Sequence, residues 1–123
     1  MSMHTVLFLA VLCTFTTFPV DGQVTSSTGA TVTTPTGATV YAFLNSGSIT
    51  FSGTTNVDVL IVGGGGPGGG SIGGGGGGGG FVYAIGVQVP AGTYSATVAA
   101  GGQQNPGQYG APGGASSIFG MYA

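Results

Sequence analysis

The chain has 123 residues, no Lys, Arg or Glu, two Asp (Asp21 and Asp58), one His and one Cys, and a formal charge of −2. Its length suits one domain. The absence of cations removes the electrostatic attraction that supplies most nucleic-acid affinity, and with it the polybasic route to anionic membranes.

Residues 5–18, TVLFLAVLCTFTTF, are apolar but short for a membrane span. Val20 and Gly22 are small enough for the −3 and −1 positions of a signal-peptidase site. Residues 1–22 therefore read as a cleavable secretory signal peptide, against the alternatives of a membrane anchor or a buried strand. Cleavage there leaves a chain starting at Gln23, without His, Cys, Lys, Arg or Glu, and with no stable membrane span. General acid–base catalysis needs a group poised near working pH. Nucleophilic catalysis by Ser or Thr needs an adjacent base, and a zinc site needs three or four His, Cys or carboxylate ligands. None of these sets can be assembled, so the expectation is a secreted, extracellular protein that is not an enzyme, with no catalytic residue, no metal and no cofactor.

Residues 23–38 form a Thr/Ser/Gly-rich leader in which TGATV occurs at 28–32 and again at 36–40. Two copies are too few for a solenoid. The segment reads as an O-glycosylated stalk, as a flexible leader, or as a first edge strand rich in β-branched Thr and Val. A β domain is expected over 39–123. Thr39–Leu44 and Ser48–Ser52 alternate as strands around a turn at Asn45-Ser46-Gly47, a hairpin signal. Val57–Val62, VDVLIV, reads as a strand buried on both faces, with Asp58 as a turn or edge hydrogen-bond acceptor. Phe81–Val89 and Thr93–Ala99 read as a second hairpin around Pro90-Ala91-Gly92. A Gly/Gln/Pro-rich loop spans 101–114, and Ala115–Tyr122 reads as one more strand. After residue 22 no segment has the 3.6-residue apolar period of a helix.

Between the strands lies GGGGPGGGSIGGGGGGGG, residues 63–80, in which fifteen of eighteen residues are glycine. Gly63, Gly65 and Gly68 match the G-x-G-x-x-G nucleotide fingerprint directly after an apolar strand. That motif works by opening a helix whose N-terminus holds a pyrophosphate. Here the fingerprint runs on into GGSIGGGGGGGG, and each glycine costs a helix about 1 kcal/mol relative to Ala. No acidic residue follows to hold a ribose, and no Lys is present for a phosphate loop. Dinucleotide binding is excluded on these grounds. The block reads instead as a flexible linker or as extended polyglycine with three residues per turn, as in polyproline II. Extended segments packed together without side chains can satisfy one another's N–H and C=O groups. The candidate packing and presentation residues are Gly63, Gly64, Gly65, Gly66, Gly68, Gly69, Gly70, Gly73 and Gly80. Candidate loop contacts for a ligand are Gln103, Gln104, Gln108 and Tyr109, whose alternative is an ordinary polar loop.

The order TVYAFLNSGSITFS, VDVLIVGGGGPGGG, GGGGGGGGFVYAIGVQVPAGTYSATVAAGG and GGASSIFG resembles a widespread glycine-rich domain. It is similar to modules of phage tail-tip adhesins, bacterial surface proteins and the ectodomains of the anaplastic lymphoma and leukocyte tyrosine kinase receptors. The resemblance covers about residues 37–123. It implies an all-β, antiparallel, sandwich-like scaffold with polyproline-II-type polyglycine projecting from strand ends, and a domain continuing beyond the SSIFG segment. It also implies a structural tip, or recognition of a receptor, ligand or glycan. Near-zero charge and unguarded β edges favour a structural or adhesive module that self-associates. Recognition of an extracellular protein or glycan through 63–80 and 101–114 is the second expectation. The repeated TGATV raises ice binding as a third, and the regular Thr array this needs is not evident in the sequence.

Overall fold

The computed structural model describes residues 24–35, 38–69, 74–104 and 110–123. The expected signal peptide lies outside them. Among the described residues regular structure is entirely β, and every strand pairing is antiparallel. Three strands, β1 (Val24–Thr33), β2 (Val40–Phe51) and β5 (Gly92–Ala96), form one sheet in the order β1-β2-β5. A second sheet pairs β3 (Thr55–Val62) with β4 (Phe81–Val89), and β6 (Ser117–Ile118) pairs with β7 (Met121–Tyr122).

In β2 the alternation read from the sequence is the alternation that packs. Ile49 and Phe51 of β2 and Val57, Val59 and Ile61 of β3 are buried in one cluster, joined by Phe43, Val89, Ala96 and Ile118. Burying each such side chain contributes about 1.5–3 kcal/mol. Both sheets supply this core, so neither strand pair would stand alone in water. Phe119 closes one end, its ring centroid 4.9 Å from that of Tyr94 and 6.0 Å from that of Phe51.

Four sequence expectations are corrected. Asn45-Ser46-Gly47 is no hairpin turn. It lies inside β2, which runs unbroken from Val40 to Phe51 against β1. The register passes from Thr28↔Ser48 to Ala30↔Phe43, so residues 44–47 bulge opposite Gly29 alone, which takes φ +79°. Pairing with β1 on both sides of this bulge carries the chain onward instead of turning it back, and no local two-strand reading contains that partner. The Thr/Ser leader, for which an edge strand was one reading, supplies this partner as β1.

Phe81–Val89 and Thr93–Ala99 do not form a hairpin either, and the second strand is the shorter Gly92–Ala96. β4 pairs with β3, and β5 pairs with β2. The Pro90-Ala91 link crosses from one sheet to the other, pinned by the Tyr94 hydroxyl donating to the Pro90 carbonyl at 3.0 Å. Pairing with the apolar β3 buries Val89, which local hairpin closure would not.

Ala115–Tyr122 is not one strand. It turns back at Phe119 (φ 53°) and Gly120 (φ 75°), two successive left-handed residues that make a tight β6–β7 connection. Finally, VDVLIV is buried on one face only: Val57, Val59 and Ile61 point in, while Asp58, Leu60 and Val62 are half-buried.

The outer face of β1-β2-β5 carries an unbroken set of hydroxyls. Ser26, Thr50 and Thr93 stand in register across the three strands, as do Thr28, Ser48 and Ser95. Thr50 Oγ1 and Thr93 Oγ1 share a hydrogen bond of 2.8 Å.

Candidate functional site

The glycine block leaves β3 at Val62 and returns into β4 at Phe81. Its two arms, 63–69 and 74–80, run antiparallel and hydrogen-bond to each other. Gly63 N–H donates to Gly80 C=O at 2.8 Å, Gly66 to Gly77 at 2.8 Å, and Gly69 to Gly74 at 2.8 Å. These bonds step by three residues on each arm. A β-ladder repeats every two.

The intervening residues of 63–69 face other segments. Gly64 N–H donates to Gly114 C=O at 2.9 Å, and Gly65 C=O accepts from Gly102 N–H at 2.7 Å. Gly114 N–H in turn donates to Ala100 C=O at 3.0 Å, and Ala111 N–H to Gln103 C=O at 2.9 Å. Successive residues 63, 64 and 65 thus bond to three different neighbours, with 63–69 at the centre of the cluster. The second glycine-rich loop is part of the same object as the first, which the sequence reading treated as a separate loop.

Absent side chains set the spacing. A Cβ on Gly64 would overlap the Ala100 carbonyl oxygen, one on Gly113 the Gly64 carbonyl oxygen, and one on Gly76 the Gly66 carbonyl oxygen. A Cβ on Gly63 would lie 2.6 Å from the Ala123 carbonyl oxygen. Pro67 fits because its ring occupies the gap over Gly102 and Gly110, where any Cβ would strike it. A Cβ on Gly74, Gly75, Gly77 or Gly78 would meet nothing within 4 Å, and all four residues are exposed. One arm is therefore packed by backbone on several sides, and the other presents bare backbone to solvent.

The expected block residues Gly63, Gly64, Gly65, Gly66, Gly69 and Gly80 are all brought together, and Gly68 lies on the same arm near Gly74. Gly70 and Gly73 fall outside the described residues. Of the loop candidates, the Gln104 amide donates its Nε2–H to Gly69 C=O at 3.0 Å, which ties that side chain to the block. Gln103 is exposed. Gln108 and Tyr109 fall outside the described residues. Sequence reasoning missed Ala100, Gly102, Gly113 and Gly114. The paired glycines at 101–102 and 113–114 were the available signal.

Asp58 acts as the edge acceptor expected of it: its Oδ1 accepts the Gly86 N–H at 2.7 Å. The bond caps a bulge at which the register passes from Val57↔Val87 to Val59↔Ala84 and Gly86 takes φ +67°. Burial raises the Tyr41 phenol above its ordinary value, further from any acid–base use near neutrality. Among the described residues no group of three or more His, Cys, Asp or Glu could hold a metal ion, and no helix is long and apolar enough to cross a membrane.

The family model described as a glycine-rich domain matches residues 44–123. The chain belongs to the glycine-rich domain family. The match takes in β3 to β7, both arms of the block, and the segments 99–104 and 110–114 that bond to them to build the backbone cluster. No curated protein and no solved structure matches the chain.

Proposed function

We propose that this glycine-rich domain is a secreted, non-enzymatic structural or adhesive module that assembles through polyglycine packing and open β edges. One observation carries the reading: backbone hydrogen bonds repeat every third residue along Gly63, Gly66 and Gly69. That is the repeat of a helix with three residues per turn and about 3.1 Å rise per residue. The arms 63–69 and 74–80, with parts of 99–104 and 110–114, are then polyproline-II-type segments projecting from the ends of β3 and β4. The two sheets on one core make the scaffold beneath them sandwich-like. Such a bundle holds its segments together mainly through backbone, as collagen does its chains, and its exposed arm at 74–80 can add a further segment in the same way.

Secretion follows from residues 1–22 read as a signal peptide, and the absence of catalysis from the side chains missing after residue 22. Near-neutral charge leaves copies with little mutual repulsion. Sedimentation of the secreted chain across a range of concentration, with electron microscopy of the same samples, tests the reading. Concentration-dependent assemblies that persist in high salt are expected, because Asp58 is the only charged side chain after residue 22 and there is little to screen. A monomer at all concentrations would refute assembly.

A second reading, recognition of an extracellular protein or glycan, is supported by the hydroxyl rows Ser26–Thr50–Thr93 and Thr28–Ser48–Ser95. They offer uncharged donors and acceptors at the strand spacing of about 4.8 Å. Saturable glycan binding that is lost in Thr50→Val would favour it, and binding unaffected by Thr50→Val would remove this face from the account.

A further inference from the structure

The sheet β3–β4 has a feature the glycine cluster does not use. Among the described residues β4 pairs only with β3, so its other edge is open. That edge carries large apolar side chains in solvent: Phe81 is 73 % exposed, Tyr83 55 % and Ile85 69 %. All three lie on one face, continuous with Leu60 and Val62, which stand opposite Tyr83 and Phe81. Edge strands are ordinarily guarded by Lys, Pro or an inward charge. Phe81–Val89 contains none of these.

The register fixes which backbone groups are free. Gly63 N–H bonds to Gly80 C=O, and hydrogen-bonded pairs alternate along an antiparallel ladder. Ile61/Val82 and Val59/Ala84 are then the bonded pairs, while Val62/Phe81 and Leu60/Tyr83 intervene. The N–H and C=O groups of Phe81 and Tyr83 accordingly point away from β3, to the open edge.

We propose that a second copy of this chain docks there, β4 against β4 in antiparallel register centred on Tyr83. This names the β-edge contact of the self-association proposed above and rests on that reading. Two-fold pairing about Tyr83 sets Tyr83 opposite its own counterpart and Phe81 opposite Ile85 of the other copy, in both directions. The edge is thus complementary to itself, as an isologous contact requires. Aromatic and β-branched residues facing each other across strands are stabilising pairs. The charge pattern agrees: the face carries no cation to attract an acidic partner, and its one carboxylate, Asp58, is held by the Gly86 amide. The product is a continuous four-stranded sheet, β3-β4-β4-β3, whose apolar outer faces join. The bulge at Gly86 limits the pairing to about residues 81–85.

The test uses the secreted chain, which cleavage after residue 22 leaves without a native thiol. Tyr83→Cys in that background lies on the two-fold axis and should give a disulfide-linked dimer under mild oxidation. Hydrogen-bonded partners stand about 5.5 Å apart at Cα, inside the range a disulfide spans. Phe81→Cys and Ile85→Cys should cross-link efficiently only when mixed. Gln88→Cys, beyond the bulge, is the control. Tyr83→Lys should weaken association at least tenfold by sedimentation, with an unchanged far-ultraviolet circular dichroism spectrum. If the chain assembles but Tyr83→Cys cross-links no better than Gln88→Cys and Tyr83→Lys assembles as before, this interface is wrong while assembly through polyglycine stands. A chain that is monomeric throughout overturns both.

Discussion

At Gly64 the missing side chain is what lets two backbones touch. Its N–H reaches Gly114 C=O at 2.9 Å, and a Cβ there would overlap the Ala100 carbonyl oxygen. Gly113 is in the same position toward the Gly64 carbonyl oxygen. Gly75 shows the opposite case, since a Cβ there meets nothing within 4 Å and its φ lies outside the left-handed range. Glycine is costly to order because it has the most backbone freedom to lose. At Gly64 and Gly113 that cost secures contact, and at Gly75 it secures none within the monomer. Gly64→Ala and Gly113→Ala should each destabilise the fold by about 1–3 kcal/mol, as overpacking does. Gly75→Ala should be neutral or stabilising by about 0.4–1 kcal/mol through the unfolded chain. Urea unfolding of the three variants reads both. Equal effects at Gly64 and Gly75 would mean that the block is not packed.

Among the elements, β3 and β4 position the block, and the bulge between them is held by one side chain. Removing the carboxylate in Asp58→Ala takes away the acceptor for Gly86 N–H. A loss of about 1 kcal/mol is expected, at the low end for an exposed bond to a charged group. Gly86 amide exchange should accelerate, and an unchanged Gly86 amide would contradict the assignment. Asp58 was legible in the sequence because it is the only polar residue of an apolar strand. The alternation of Ile49 with Phe51 was legible because a period of two survives whatever the strand pairs with, whereas in VDVLIV the outward Leu60 and Val62 are as apolar as the inward residues, so the sequence read as buried on both faces. Pairing partners were not legible. The signals at Asn45-Ser46-Gly47 and Pro90-Ala91-Gly92 are local, and both segments were drawn away from hairpins by distant strands, β1 in one case and β3 in the other. The outward hydroxyls of β2 and β5 could likewise be read strand by strand, but their alignment into rows depends on a pairing between residues 43 apart. In the block, composition identified the residues, and only the fold brought 99–104 and 110–114 against 63–69.

Taken whole, the molecule holds together by two unlike means. A side-chain core of Phe43, Ile49, Phe51, Val57, Val59 and Ile61 fixes the sheets. Beyond the ends of β3 and β4 the described segments are held mainly by backbone hydrogen bonds, joined by the Gln104 amide on Gly69 C=O, in a region with little apolar surface to bury besides the Pro67 ring. An ordered glycine cluster is therefore the central claim, because presentation of bare backbone at 74–80 depends on it, as does assembly through polyglycine. Amide hydrogen exchange, resolved residue by residue by NMR on the folded chain, addresses it most directly, since protection reports the stability of each hydrogen bond. Gly63, Gly66 and Gly69 should be protected at every third position, along with Gly64, Gly102 and Gly114, while the exposed amides of Gly75 and Gly78 exchange fast. Uniformly fast exchange from Gly63 to Gly80 would contradict the account and return the block to a flexible linker.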